Sequence, residues 1–237
     1  MIFYYVRHGD PDYSNDSLTP LGKAQADALA KRFTLHGLDE IYASPCGRAI
    51  ETAKPTCALL KKEMKIVDWA KEDYAFDEFT LHEDGMRKWL FQSERCIAKL
   101  NTPQLLSLGK KWHTYPDFSK MRFTAGVERI DGARDAFFLQ LGFEHDEKIN
   151  GYKVLKRENK RVAMFAHEGF GTAFLSSILD IPYPVFCSRF SLGHSNVTII
   201  YFDEKNDVCY PKIIQHSNDS HLYKEGILTP YQNWLKI

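Results

Sequence analysis

The chain has 237 residues, 44% of them hydrophobic, and its 31 Lys and Arg balance its 31 Asp and Glu. That length supports one large domain or two small ones with a real core, and a formal net charge of zero leaves no broad basic field for nucleic acid, so any anion site is local. Five cysteines (Cys46, Cys57, Cys96, Cys187 and Cys209) are odd in number, widely spaced and form no C-x-x-C pair, which argues against a disulfide framework or a zinc site and for a reducing compartment.

The first apolar run, Ile2 to Val6, is short and lacks a basic leader, and no stretch approaches the length of a membrane span. A cytoplasmic protein engaging neither membrane nor nucleic acid is expected; the sequence does not give its oligomeric state. Ile2 to Val6 reads as a buried strand. Thr19-Pro20 is an N-cap followed by proline at the first helical position, and Leu21, Ala24, Ala28, Leu29 and Phe33 carry the helix to Gly37. Glu40 to Ala43 is a second strand. Ser44-Pro45 repeats the cap-plus-proline start, and its helix runs towards Lys62 with an interruption near Pro55.

Residues 68 to 123 are charged and rich in aromatics without a clean period, and read as an inserted cap or lid within a single domain spanning 1–237. Val127, Ile130, Arg134, Phe137 and Leu141 mark an amphipathic helix closed by Gly142. Arg161 to Ala166 is a buried strand, Gly169 to Leu179 a helix, and Asn196 to Phe202 and Val208 to Gln215 late strands joined near Asn206. Strands alternating with helices imply an α/β fold, a mainly parallel central sheet flanked by helices.

Three segments share one design. "IFYYV" ends in Arg7 and His8, "EIYAS" leads to Arg48 at a helix start, and "RVAMFA" leads to His167 with Gly169 and Gly171 at a helix start. In an open α/β sheet the C-terminal strand edge is where ligands bind. Parallel strands would bring Arg7, His8, Arg48 and His167 together there, beside helix N-termini with unpaired N–H groups. Phosphate fits such a pocket, because arginine forks match its oxygens. A single histidine or arginine is usually a surface or satisfied core residue, but the recurrence at three strand ends is not. Metal binding is the sharper rival for the histidines; it lacks H-E-x-x-H or H-x-H spacing, and the arginines would repel a cation. "GHSNV" at 193–197 lacks the last glycine of G-x-S-x-G, and "GFGTAF" at 169–174 lacks the third glycine of a dinucleotide fingerprint.

"VRHGD" near the N-terminus, "LTPLGKAQA" at 18–26, "YASPCGRAIETA" at 42–53 and "FAHEGFG" at 165–171 together resemble the histidine phosphatase superfamily, also called phosphoglycerate mutase-like, in order and separation. The resemblance implies a metal-independent, cofactor-free phosphomonoester hydrolase acting on a small phosphorylated substrate. His8 would be the nucleophile forming a phosphohistidine, its other ring N–H held by a backbone carbonyl or similar acceptor. Arg7, Gly9, Ser14, Arg48, His167, Glu168 and Gly169 would surround the phosphate, His167 also acting in catalysis. A carboxylic acid after the second helix would protonate the leaving oxygen; Glu78, flanked by Phe76 and Phe79, is the favoured candidate, with Asp73, Asp77 and Glu83 as rivals. The chain departs from the mutases at Asp10, Pro11 and Ser14 and lacks their glycine-tryptophan motif, so hydrolysis is expected. Mutase-type transfer and a non-catalytic phosphate-binding protein are the alternatives.

Overall fold

The computed structural model describes residues 1–228, 230–231 and 235–236, so the last few positions of the expected 1–237 domain (229, 232–234 and 237) lie outside the described residues. Six strands form the central sheet: β1 (Ile2–Arg7), β2 (Glu40–Ala43), β3 (Met64–Ile66), β8 (Arg161–Ala166), β9 (Val197–Tyr201) and β11 (Lys212–Asn218), in the spatial order β11-β9-β1-β8-β2-β3. β1, β8, β2 and β3 pair in parallel; β9 and β11 add antiparallel at one edge. A hairpin, β4 (Thr80–Glu83) with β5 (Met86–Trp89), lies outside this sheet. So does a three-stranded sheet of β6 (Phe143–Asp146), β7 (Gly151–Val154) and β10 (Val208–Cys209).

From Ile2 to Val6 β1 is apolar, because both of its faces are covered. Phe3 and Tyr5 enter one core with Phe137, Phe138 and Phe174, whereas Tyr4 and Val6 enter the other with Leu29, Phe33, Ala43 and Phe165. Helices α1 (Pro20–Thr34) and α2 (Gly47–Leu60) cover the second face. Helices α5 (Phe123–Gln140) and α6 (Glu168–Ile178) cover the first. Thr19 caps α1 as expected, its hydroxyl accepting from the Gly22 N–H. Gly37 and Gly142 stand at φ +70° and +89° after their helices, a backbone region that glycine enters without Cβ strain.

Between α2 and α5 run α3 (Glu72–Glu78), the β4–β5 hairpin, α4 (Glu94–Leu100) and several single turns. Phe79, Leu105, Trp112 and Phe118 of this segment are buried in the same cluster as Phe3 and Phe138.

Three expectations are corrected. α2 begins at Gly47 with Cys46 as its N-cap, not at Ser44, and Pro55 is carried inside it without a break. Val208 to Gln215 is not one strand: Pro211, with no N–H to give a ladder, separates β10, which pairs with β7, from β11, which pairs with β9. The β4–β5 hairpin went unseen despite its Asp84-Gly85 turn, whose two residues both take positive φ, the requirement that makes Asp-Gly a hairpin signal.

Candidate active site

The register of the parallel strands sets the site. Arg7 lies opposite Ala166, and Phe165 opposite Ala43, so the residues that follow each strand emerge at one level. The His8 N–H donates to the Ala166 carbonyl and the Ser44 N–H to the Phe165 carbonyl, both at 2.9 Å, extending the ladders one step past the strands. Arg7 and His8, Ser44, and His167 therefore meet at one sheet edge, and Arg48 reaches it from the first turn of α2.

His8 Nδ1 lies 2.7 Å from the Gly9 carbonyl. A carbonyl only accepts, so Nδ1 carries the proton and Nε2 keeps its lone pair. Burial, reinforced by His167 and Arg7, holds the His8 pKa well below the usual imidazole value, so the ring stays neutral. The His167 ring is fully buried, 5.3 Å from that of His8, with Nε2 against Ser44 Oγ at 2.8 Å and Nδ1 without a partner. If Ser44 donates, Nδ1 bears a hydrogen that no protein group takes. Burial, then Arg48 and Arg7, lower the His167 pKa too.

Arg7 is held on three sides: Nη1 donates to the Leu192 carbonyl at 2.5 Å and faces Glu168 at 2.9 Å, and Nη2 lies 2.7 Å from His194 Nε2. Arg48 pairs with Asp16 at 2.5 Å beneath the Tyr13 ring. These two guanidiniums and His8 line a cavity of about 260 Å³, whose lining also includes Tyr13, Glu72, Asp73, Phe76, Trp89, Phe91, Gln92, Glu168 and Gly169.

Of the three carboxylates that line this cavity, Glu72, Asp73 and Glu168, Glu72 stands at the N-terminus of α3. Its carboxylate accepts from the Gly169 N–H at 3.0 Å and the Phe170 N–H at 2.8 Å, capping α6 where His167 gives no side-chain cap. Burial pushes its pKa up to about 7, against the opposing pull of those two N–H groups and of Arg48 and Arg7. Glu78 does not fit the expected role. It lies at the far end of α3, 6% exposed, and grips Arg129 through both oxygens at 2.6–3.0 Å. Asp77 pairs with exposed Arg87, and Glu83 with Lys88 and Ser93. Asp73 lines the cavity but is largely exposed and paired with Lys71.

Other expected residues are placed as follows. Ser14 is exposed and bonded to Asp12, and it is not among the residues lining the cavity, although its neighbour Tyr13 is. Gly9 serves close packing: a Cβ there would stand 2.8 Å from the Gly22 carbonyl of α1. Glu168 lines the cavity and faces Arg7 at 2.9 Å. The Gly169 N–H is already engaged by Glu72. Glu72 and His194 were the residues missed. Glu72 stands among a run of acids, and His194 lies in "GHSNV", which carries no histidine spacing signal. The ring of His194 lies 5.5 Å from that of His8.

Residues 3–90 match the family model described as histidine phosphatase superfamily (branch 1). A curated relative, the putative phosphoserine phosphatase 2 of Hydrogenobacter thermophilus, is 31% identical over 105 residues, 37% of this chain. The match spans about half, 51%, of that relative's length. Two solved structures share the fold across nearly the whole chain. The phosphoserine phosphatase of Entamoeba histolytica in complex with 3-phosphoglyceric acid is 20% identical, covers 93% of this chain and 98% of its own, and has a TM-score of 0.58. The mycobacterial glucosyl-3-phosphoglycerate phosphatase complexed with inorganic phosphate is 17% identical with the same coverage and a TM-score of 0.59. The N-terminal part of the chain, residues 3–90, is thus similar in sequence to the histidine phosphatase superfamily, and the whole chain shares the fold of these two structures.

Proposed function

We propose that the protein hydrolyses a small phosphate monoester through a phosphohistidine on His8. The observation that carries this reading is the pairing of a neutral His8 with an acid poised near neutrality: Nδ1 is tied to the Gly9 carbonyl, and Glu72 is held at about 7 across the same cavity. The phosphoryl group would lie among Arg7, Arg48 and the free Nδ1 of His167, whose charges and N–H groups stabilise its oxygens as the bond order changes.

The chemistry balances in two steps. The Nε2 lone pair of His8 attacks phosphorus, the P–O ester bond breaks, and the leaving oxygen takes the Glu72 proton. The Glu72 carboxylate then removes a proton from water, whose oxygen attacks phosphorus; the P–N bond breaks and inorganic phosphate and neutral His8 are regenerated. Residues 68–123 act as the lid, since Glu72 and the aromatic wall both come from that segment. Five free cysteines, four of them buried, favour a reducing cytoplasm.

Brief incubation with substrate should give an acid-labile phosphoenzyme. His8→Ala should lose the label and turnover together; near-normal turnover by that variant would overturn the mechanism.

A further inference from the structure

The phosphatase reading leaves the alcohol half of the substrate open, and this inference rests on that reading. The cavity is lined by two unlike sets of side chains. Arg7 and Arg48 are the cations among its described lining residues, and each already faces a carboxylate, Glu168 or Asp16. The rest of the lining carries the aromatic side chains Tyr13, which lies against Arg48, Phe76, Trp89 and Phe91, and its remaining charged groups, Glu72 and Asp73, are acids. A second carboxylate on the alcohol would find no further cation to offset its desolvation.

The aromatic wall is built onto the catalytic backbone. Trp89, the last residue of β5, lies so close over Gly169 that a Cβ there would stand 2.2 Å from the indole. Phe91 stacks on that indole at 5.6 Å with the planes 13° apart, and Phe76 meets it edge-on at 5.2 Å. The Arg87 guanidinium sits 4.7 Å from the Phe76 ring centre and fixes it from another side. Yet Phe76, Trp89 and Phe91 all remain partly open to the cavity, unlike the sealed Trp112 and Phe79 of the same segment. Rigid aromatic faces left uncovered beside an anion site suit a flat apolar group. We propose that the substrate is the phosphate monoester of an uncharged aromatic alcohol, its ring packed against Trp89.

Steady-state kcat/KM for phosphate release from 2-phenylethyl phosphate, n-propyl phosphate, 3-phosphoglycerate and phosphocholine tests this, because all four leave as alkyl alcohols. The phenylethyl ester should exceed the propyl ester by roughly tenfold or more, the scale of filling an apolar pocket, and 3-phosphoglycerate should be poorest. Trp89→Leu should shrink the phenylethyl-to-propyl ratio; Phe91→Leu provides the same readout if the first variant fails to fold. Preference for 3-phosphoglycerate or for phosphocholine, or an unchanged ratio in both variants, would overturn the aromatic assignment while leaving the phosphatase reading intact. No release from any of the four, with no phosphoenzyme from p-nitrophenyl phosphate, would overturn both.

Discussion

His194 Nε2 lies 2.7 Å from Arg7 Nη2. A guanidinium can only donate, so this nitrogen is the acceptor and the imidazole proton sits on Nδ1, 3.6 Å from Asp10 Oδ1. Burial, with Arg7 adding to it, lowers the His194 pKa to about 3, so the ring remains a neutral acceptor at any physiological pH. His194 thus positions Arg7 without carrying charge into the site. His194→Ala should lower kcat/KM about tenfold, the value of one hydrogen bond to a charged group, with weaker inhibition by inorganic phosphate. His194→Gln, which can still accept, should recover part of both. Equal losses in Ala and Gln variants would mean that His194 only packs.

Much of the sheet edge could be read from the sequence, because β1 and β8 are short apolar runs that lead directly to a cation or an imidazole, and β2 leads through a short turn to Arg48 at the start of α2. Glu40–Ala43 and Arg161–Ala166 fall where they were expected. The acid could not be read in this way. Residues 72 to 83 hold Glu72, Asp73, Asp77, Glu78 and Glu83, and what separates Glu72 is a pair of backbone N–H groups at Gly169 and Phe170. Residues six apart on one helix, as Glu72 and Glu78 are, point about 120° apart at 3.6 residues per turn, so only one of them faces the site. His194 had no spacing signal, since it lies in the loop that leads into β9, the strand beside β1.

Glu72 should set the alkaline limb of activity. Its carboxyl is the proton donor below about pH 7 and is ionised above it, so kcat/KM for an alkyl phosphate should fall as pH rises through neutrality. His8, depressed well below its usual value, is already neutral there and should limit only the acid side. Glu72→Gln should slow alkyl phosphate hydrolysis by roughly 10²-fold or more, and p-nitrophenyl phosphate much less. Equal slowing of both substrates would remove Glu72 from the role.

The same raised pKa makes Glu72 a stability switch. The folded state holds the Glu72 proton more tightly than the unfolded chain, whose carboxyl has the ordinary value of 4.5. This contribution is complete below about pH 4.5 and is lost as pH rises to about 7. Glu72→Gln should therefore flatten the Tm profile between pH 5 and 8, measured side by side with wild type. Glu78→Gln should act differently: it weakens the grip on Arg129 by roughly 1–3 kcal/mol and lowers Tm throughout the same pH 5 to 8 range, without altering the leaving-group dependence of turnover.

Gly169→Ala would place a methyl group 2.2 Å from Trp89. Either the indole swings out or the first turn of α6 shifts and takes the Gly169 N–H away from Glu72. Activity should drop by roughly tenfold or more, as for other small displacements of positioned catalytic groups, with a change in tryptophan emission. Wild-type emission together with wild-type kcat/KM would show that the wall is not seated on Gly169.

Arg48 offers the last test, of how the phosphate end is charged. Its Nη1 pairs with Asp16, a half-exposed carboxylate, while its Nε is buried without a partner. An anion entering the cavity can take a guanidinium that Asp16 has oriented but not enclosed. Phosphate and vanadate should both inhibit and raise Tm, since any ligand favouring the folded state stabilises it by mass action. Arg48→Lys keeps the charge and loses the planar fork, so it should weaken both anions by roughly tenfold, read as the shift in inhibition constant and in the anion-dependent rise of Tm. Arg48→Met should abolish the rise at the same anion concentration. An undiminished rise in Arg48→Met would place the anion elsewhere on the protein.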